Sequence, residues 1–307
     1  MRFRSDPAKI TGSIAPVVTP FHEDGAVDLD SLRGLIRWQL ESGSHGISLG
    51  GSTGEPGAQS VAERISAMTA AAAEIGDRVP FLPGTGSAKL DETLEMTAAA
   101  QDLGADAALI ITPYYARPTQ EALYTWYATV AREFPDLPLV IYNVPSRTAV
   151  DIDPQTVARL RRDFPNLVGI KETTKDFEHF SRVLAAAGRD LLVWSGIELL
   201  CLPLLALGGS GFVSAAANIA PAAVARMYEL WTEGEHEAAR RLHFALHPLV
   251  DLLFVETNPA PAKWVLHQRG RLTSPHVRPP LITPTEPAIA RIERLLAEGE
   301  QLLAAAR

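Results

Sequence analysis

The sequence predicts an α/β protein, a (β/α)8 TIM barrel over residues 1–233 with a C-terminal helical domain over 234–307. Three observations carry this reading. Short apolar runs alternate with longer helix-like stretches eight times in succession, the pattern of a parallel sheet wound with helices, and eight units suggest a closed barrel. The rhythm stops at Glu233, beyond which three helix-like stretches follow with no strand between them. Polar residues with useful chemistry collect just after the apolar runs, at the strand ends where barrels of this kind keep their active sites.

In chain order, the run Ser13–Thr19 leads to a helix over Leu29–Glu41 that starts behind Asp28, a residue type that caps helices. Gly46–Leu49 ends in Gly50-Gly-Ser-Thr-Gly-Glu55 and precedes the helix Ala62–Ile75. Pro80–Leu82 ends in Pro83-Gly-Thr-Gly86 and precedes Leu90–Leu103, where Gly104 supplies a stop. Ala107–Ile111 ends in Thr112-Pro-Tyr-Tyr115, before the helix Gln120–Glu133. Leu139–Tyr142 ends in Tyr142-Asn-Val-Pro-Ser-Arg147, and the helix Pro154–Arg162 opens on Asp153-Pro154. Leu167–Lys171 precedes Phe177–Ala187, and Leu191–Trp194 ends in Ser195-Gly-Ile-Glu198 before Glu198–Leu207. Gly211–Val213 precedes Pro221–Glu233. The appendage then reads as helices over Glu235–Phe254, Pro259–Arg269 and Pro287–Ala306, with a proline-rich connector, Ser274–Pro284, before the last.

A net charge of −8 with no basic stripe argues against nucleic acid as a partner. No signal segment and no apolar run long enough for a membrane span are visible, which predicts a soluble cytoplasmic protein. The single cysteine, Cys201, has no partner for an internal disulfide and sits among leucines, so a buried apolar thiol is expected. His243 and His247 have the i, i+4 spacing of helical metal ligands, but Phe244 follows where a zinc protease motif has glutamate, and no metal is expected. Gly84-Thr-Gly86 lacks the third glycine of a dinucleotide fingerprint, so no nucleotide cofactor is expected. No histidine lies among the strand ends, so no Ser/His/Asp set assembles there.

The chain is organised around Lys171, at the end of the apolar run Leu167–Ile170. A lysine is expensive to bury charged, and a neutral amine is a nucleophile that forms a Schiff base with a carbonyl. A lysine at a strand end also snorkels to water with no further role. Its place on the rim with tyrosines, hydroxyls and an arginine favours chemistry. In the Gly50–Gly54 loop, small residues let backbone N–H groups approach an anion, and Ser52 and Thr53 add hydroxyl donors. A plain strand-to-helix turn has the same composition. Tyr142 and Tyr115 are phenols able to carry protons, although either also serves as a core tyrosine. Arg147 offers a fork that fits a carboxylate, with Asp151 as its alternative partner.

These residues, in this order, make the chain resemble the dihydrodipicolinate synthase / N-acetylneuraminate lyase family of pyruvate-dependent class I aldolases, from Gly12 to the last helices. The resemblance implies that Lys171 forms the Schiff base with pyruvate and that Ser52 and Thr53 hold the pyruvate carboxylate. It implies that Tyr142 carries protons in a relay with Ser52, completed by Tyr115 from a neighbouring subunit, and that Gly196 and Val213 line the pyruvate pocket. It implies a homodimer or homotetramer, and no cofactor beyond the covalent imine.

Thr112–Pro118, Tyr142–Thr148, Gly169–Thr173 and Phe254–Trp264 resemble the synthase branch, in which Arg147 takes the carboxylate of L-aspartate 4-semialdehyde. The Ser52 loop resembles the lyase branch, and Gly196-Ile-Glu198 departs from both branches. The expected activity is condensation of pyruvate with aspartate semialdehyde to 4-hydroxy-tetrahydrodipicolinate. The alternative is another pyruvate-linked aldolase or dehydratase acting on a hydroxylated 2-oxo acid. Lysine inhibits many synthases of the family. By spacing, Val61 and Arg64 stand where those enzymes place histidines for it and Ala88 where an asparagine would sit, while Glu92 and Tyr114 still match; the losses imply lysine insensitivity.

Overall fold

Eight parallel strands lie in the order β3-β2-β1-β8-β7-β6-β5-β4 in a computed structural model that describes residues 3–306. They are β1 (Gly12–Pro16), β2 (Gly46–Leu49), β3 (Phe81–Pro83), β4 (Ala108–Ile111), β5 (Leu139–Asn143), β6 (Leu167–Glu172), β7 (Leu192–Ser195) and β8 (Gly211–Val213). With the helices between them they form the nearly closed (β/α)8 barrel that the alternation predicts. Almost every strand residue is buried, as expected where helices cover one face of a parallel sheet and side chains fill the other.

The helices are α1 (Leu29–Glu41), α2 (Val61–Ile75), α3 (Leu90–Asp102), α4 (Gln120–Glu133), α5 (Pro145–Thr148), α6 (Pro154–Asp163), α7 (Phe177–Ala187), α8 (Cys201–Ala206), α9 (Pro221–Thr232), α10 (His236–Ala245), α11 (His247–Leu253), α12 (Ala260–Gln268) and α13 (Glu286–Ala305). The backbone falls into two compact units. One comprises the described residues up to Thr11 with Pro80–Val213, and the other Gly12–Val79 with Ser214 onward.

In the first unit, an apolar core joins β4–β7 to α4, α6 and α7 through Ile110, Tyr127, Ile141, Leu160, Ile170 and Phe180. Tyr127 belongs to that core and donates its hydroxyl to the Ile110 carbonyl at 3.0 Å. The backbone beyond β3 reaches β4 through a parallel bridge between Gly84 and Leu109, with the Thr85 N–H donating to Leu109 O at 3.0 Å. Gly86 is part of this approach, because a Cβ there would stand 2.6 Å from the Ile111 nitrogen. Gly86 thus serves close strand packing. Cys201 is buried, and burial pushes its thiol pKa well up, as a structural cysteine requires.

In the second unit, Asp28 caps α1 by accepting from the Ser31 N–H at 2.9 Å. Asn218 ties the start of the barrel wall together, accepting from Val18 N at 3.2 Å and donating to Pro16 O at 2.9 Å. The helix expected over Glu235–Phe254 is two helices, α10 and α11, divided at Leu246. Pro248 is the reason: it has no N–H for the fourth carbonyl back and is tolerated only in a first turn. At the break the His243 and His247 rings meet edge to face, 5.0 Å between centroids. Burial, with His247 beside it, lowers the His243 pKa to about 4.

Candidate active site

Lys171 lies on β6 with only 6% of its surface exposed, directly opposite Tyr142 of β5 in the strand register. Register partners on neighbouring parallel strands point to the same face, so the lysine amine comes to rest over the tyrosine ring, 4.0 Å from its centroid. Gly196, just beyond β7, makes room for this chain. A Cβ there would stand 2.8 Å from Lys171 Cε, so any side chain would displace the lysine. Gly169, two residues before Lys171 on the same face, likewise clears space for Trp194, whose ring a Cβ would meet at 2.7 Å. Tyr142 and the space left at Gly196 therefore set where the amine lies.

The next residue along each strand faces the other way, and there the sequence reading missed a second cluster. Glu172 is fully buried. Its carboxylate accepts from Asn143 Nδ2 at 2.9 and 3.0 Å and from the N–H groups of Thr173 and Thr174 at 2.9 and 3.0 Å. His179 of α7 brings Nε2 within 3.1 Å of it. Asn143 Nδ2 also donates to Asp151 at 2.6 Å, so Asp151 is tied to the strand end that carries Tyr142. Burial works against a charge on His179, but the Glu172 carboxylate, with Asp151 and Asp176 farther off, outweighs it and raises the histidine pKa. The Asn143–Glu172 link joins the residues immediately after Tyr142 and Lys171, and so fixes those two strand ends against each other.

Arg147 stands exposed on the short helix α5, held by the hydrogen bond of its own N–H to Val144 O at 2.9 Å. Val213 ends β8 and is 4% exposed. Tyr115 is 95% exposed and has a φ of 72°, in the left-handed region that a residue with a Cβ rarely occupies. Such a conformation costs about 1–3 kcal/mol and persists where the surroundings impose it.

The second unit carries the hydroxyl loop. Ser52–Gly54 form one 3-10 turn, closed by Glu55 with a φ of 54°. Ser52 is half-buried, whereas Thr53 is 7% exposed and its hydroxyl accepts from Asn258 Nδ2 at 3.1 Å. Glu55 is anchored at both carboxylate oxygens, by Lys263 Nζ at 2.5 Å and by the Arg278 N–H at 2.9 Å. Lys263 is fully buried between Glu55, the His276 carbonyl at 3.0 Å and the face of Phe21. Burial lowers its pKa to about 8, against the pull of Glu55 and with a further push from Arg278. The segments that carry Asn258, Lys263 and Arg278 thus hold the loop in place. No helix among the described residues is long and apolar enough to cross a membrane.

Comparison with known proteins identifies relatives over nearly the whole chain. A model of the dihydrodipicolinate synthetase family matches residues 9–298. The 4-hydroxy-tetrahydrodipicolinate synthase of Thermus thermophilus is 47% identical over 292 residues, 95% of this chain and 97% of that protein. The structure of the 4-hydroxy-tetrahydrodipicolinate synthase of Methylacidiphilum fumariolicum superimposes with a TM-score of 0.93 at 35% identity, covering 97% of this chain and 98% of the other. A lysine-bound dihydrodipicolinate synthase of Cyanidioschyzon merolae does so with a TM-score of 0.90 at 31% identity, covering 95% and 98%. A match of that extent, on a barrel whose sixth strand presents a buried lysine beside a tyrosine, places the chain in the dihydrodipicolinate synthetase family.

Proposed function

We infer that this enzyme condenses pyruvate with L-aspartate 4-semialdehyde to give 4-hydroxy-tetrahydrodipicolinate and water, a step toward lysine and diaminopimelate. The observation that carries the reading is the Lys171 amine, buried beside Tyr142 and given space by Gly196. The Lys171 amine attacks the pyruvate carbonyl, and loss of water leaves an imine. Removal of a methyl proton gives an enamine, a carbon nucleophile, which attacks the aldehyde carbon. The aldehyde oxygen takes up a proton and becomes the hydroxyl of the product. The amine of the aldehyde substrate then displaces Lys171 from the imine carbon, which closes the ring and frees the enzyme.

Tyr142 supplies and removes the protons of imine formation, in a relay with Ser52 and with Tyr115 of a neighbouring subunit. Thr53, with Ser52, holds the pyruvate carboxylate, Arg147 takes the carboxylate of the aldehyde, and Gly196 and Val213 line the pyruvate pocket. No cofactor other than the covalent imine takes part. The 95% exposure of Tyr115 and its left-handed backbone support a role across a subunit boundary, and with it a homodimer or homotetramer. The enzyme works in the cytoplasm on small molecules.

A turnover assay with pyruvate and a panel of aldehydes tests the reading. The wild type should prefer the carboxylated aldehyde, and Arg147→Ala should lose that preference while still forming the pyruvate imine. An enzyme that prefers a neutral aldehyde, or that only releases pyruvate from 2-oxo acids, would contradict it.

A further inference from the structure

We propose that Asn258 is a positioning residue for pyruvate: its amide fixes the Thr53 hydroxyl as a hydrogen-bond donor to the substrate carboxylate. The proposal rests on the reading of Thr53 as a carboxylate-binding residue and adds what makes that hydroxyl a donor. Asn258 Nδ2 lies 3.1 Å from Thr53 Oγ1, and both residues are buried, at 5% and 7% exposure. An amide nitrogen only donates, whereas a threonine hydroxyl has one proton and two lone pairs. Asn258 therefore occupies a lone pair of Thr53 and leaves its proton for another acceptor. Accepting a hydrogen bond also polarises the O–H and strengthens it as a donor. A donor fixed before the ligand arrives needs no reorganisation when an anion binds.

The contact bridges residues 205 apart in sequence and has support on both sides. Thr53 lies two residues before Glu55, and Asn258 five residues before Lys263, and these two form the buried ion pair at 2.5 Å. The turn at Asn258 is set by the Ala260 N–H bonding to Thr257 O at 3.1 Å, and Gln59 Nε2 holds the loop side by donating to Gly54 O at 2.5 Å. The amide and the hydroxyl thus lie beside a second, charged clamp between the same two segments.

The test uses Asn258→Asp, which keeps the shape and turns the donor into an acceptor that captures the Thr53 proton. Borohydride trapping of the pyruvate imine, measured against pyruvate concentration without aldehyde, reads binding directly. Asn258→Asp should raise the half-saturating pyruvate concentration roughly ten- to a hundred-fold, the worth of a hydrogen bond to a charged group. The maximal trapping rate and the KM for the aldehyde should stay close to wild type. Asn258→Ala in a Thr53→Val background should add nothing for pyruvate, since the two act through one hydroxyl.

An unchanged pyruvate dependence in a folded Asn258→Asp would overturn the proposal. So would fully additive effects of Asn258→Ala and Thr53→Val, a readout that remains if the aspartate variant does not fold. A wild type that traps no pyruvate would overturn the site and this role together. A trapping wild type beside an Asn258→Asp of wild-type affinity overturns this role alone.

Discussion

Lys171 and Tyr142 are register partners on adjacent strands, and the amine of the first lies 4.0 Å from the ring centroid of the second. Behind them Glu172 and Asn143 are also register partners, joined through the asparagine amide at 2.9 Å. One pair holds the residues proposed for the chemistry and the other braces the backbone that carries them.

The space that Gly196 leaves for the lysine gives a first prediction. Gly196→Ala would set a Cβ against Lys171 Cε and, closer still, Thr173 Cγ2. A displacement of the lysine by about 1 Å should slow imine trapping on the order of a hundredfold. Gly34→Ala, in helix α1 with nothing within 4 Å of the new Cβ, is the control. It should leave trapping unchanged and raise stability by about 0.5–1 kcal/mol.

The brace predicts a pH dependence. The folded-state pKa of His179 is raised above its ordinary value of 6.5. Its contribution to stability is then complete below about 6.5 and is lost as the pH rises through the raised value. Unfolding free energies measured across that window should therefore fall more steeply in wild type than in His179→Gln. Glu172→Gln, which leaves hydrogen-bonding groups mismatched, should cost about 1–3 kcal/mol and remove the same pH step. Equal slopes in all three proteins would contradict the assignment.

A buried ion pair behaves differently when one partner or both are removed. Lys263→Met leaves the Glu55 carboxylate without its partner at 2.5 Å and should destabilise by about 3–5 kcal/mol. Adding Glu55→Gln should recover part of that loss, so that the double variant is less damaged than the two single losses sum to. Chemical denaturation of the four proteins gives the coupling, and strict additivity would show that the pair is not an energetic unit.

The chain should be insensitive to lysine. Val61 and Ala88 offer no side-chain hydrogen bonds, and Arg64 adds a positive charge where the family resemblance places ligands for the inhibitor. The Glu92 carboxylate already receives Lys89 at 2.7 Å and the Ser87 hydroxyl at 2.6 Å. Each unmatched polar group of the ligand costs roughly 1–3 kcal/mol, and two or three such losses remove useful affinity. Steady-state rates with millimolar lysine should match those without it, and clear inhibition would refute the inference.

Much of this was readable from local pattern. The bounds of β2, β8, α1, α4 and α7 are those the sequence predicts, because the three helices carry apolar periodicity and the two strands are short apolar runs bounded by glycine turns. Lys171 and Tyr142 were legible because each ends an apolar run. Helix α5 was not, since four residues give no periodicity. The division at Leu246 was visible in Pro248 but outweighed by the continuous pattern around it. Gly84-Thr-Gly86 looked like part of a nucleotide motif, and only the neighbouring strand shows why Gly86 is small.

The brace at Asn143 and Glu172 stood beside the two residues singled out. That a carboxylate is buried there depends on α7 delivering His179, which no local signal encodes. The contact of Asn258 with Thr53, across 205 residues, is still less visible in a linear chain.

The covalent imine is the central claim, and borohydride reduction in the presence of pyruvate tests it most directly. Peptide mass spectrometry should find one reduced pyruvate unit per chain, on Lys171, and Lys171→Ala should acquire none. A label on Lys175 or Lys89, or an unlabelled protein that still turns over, would contradict the account.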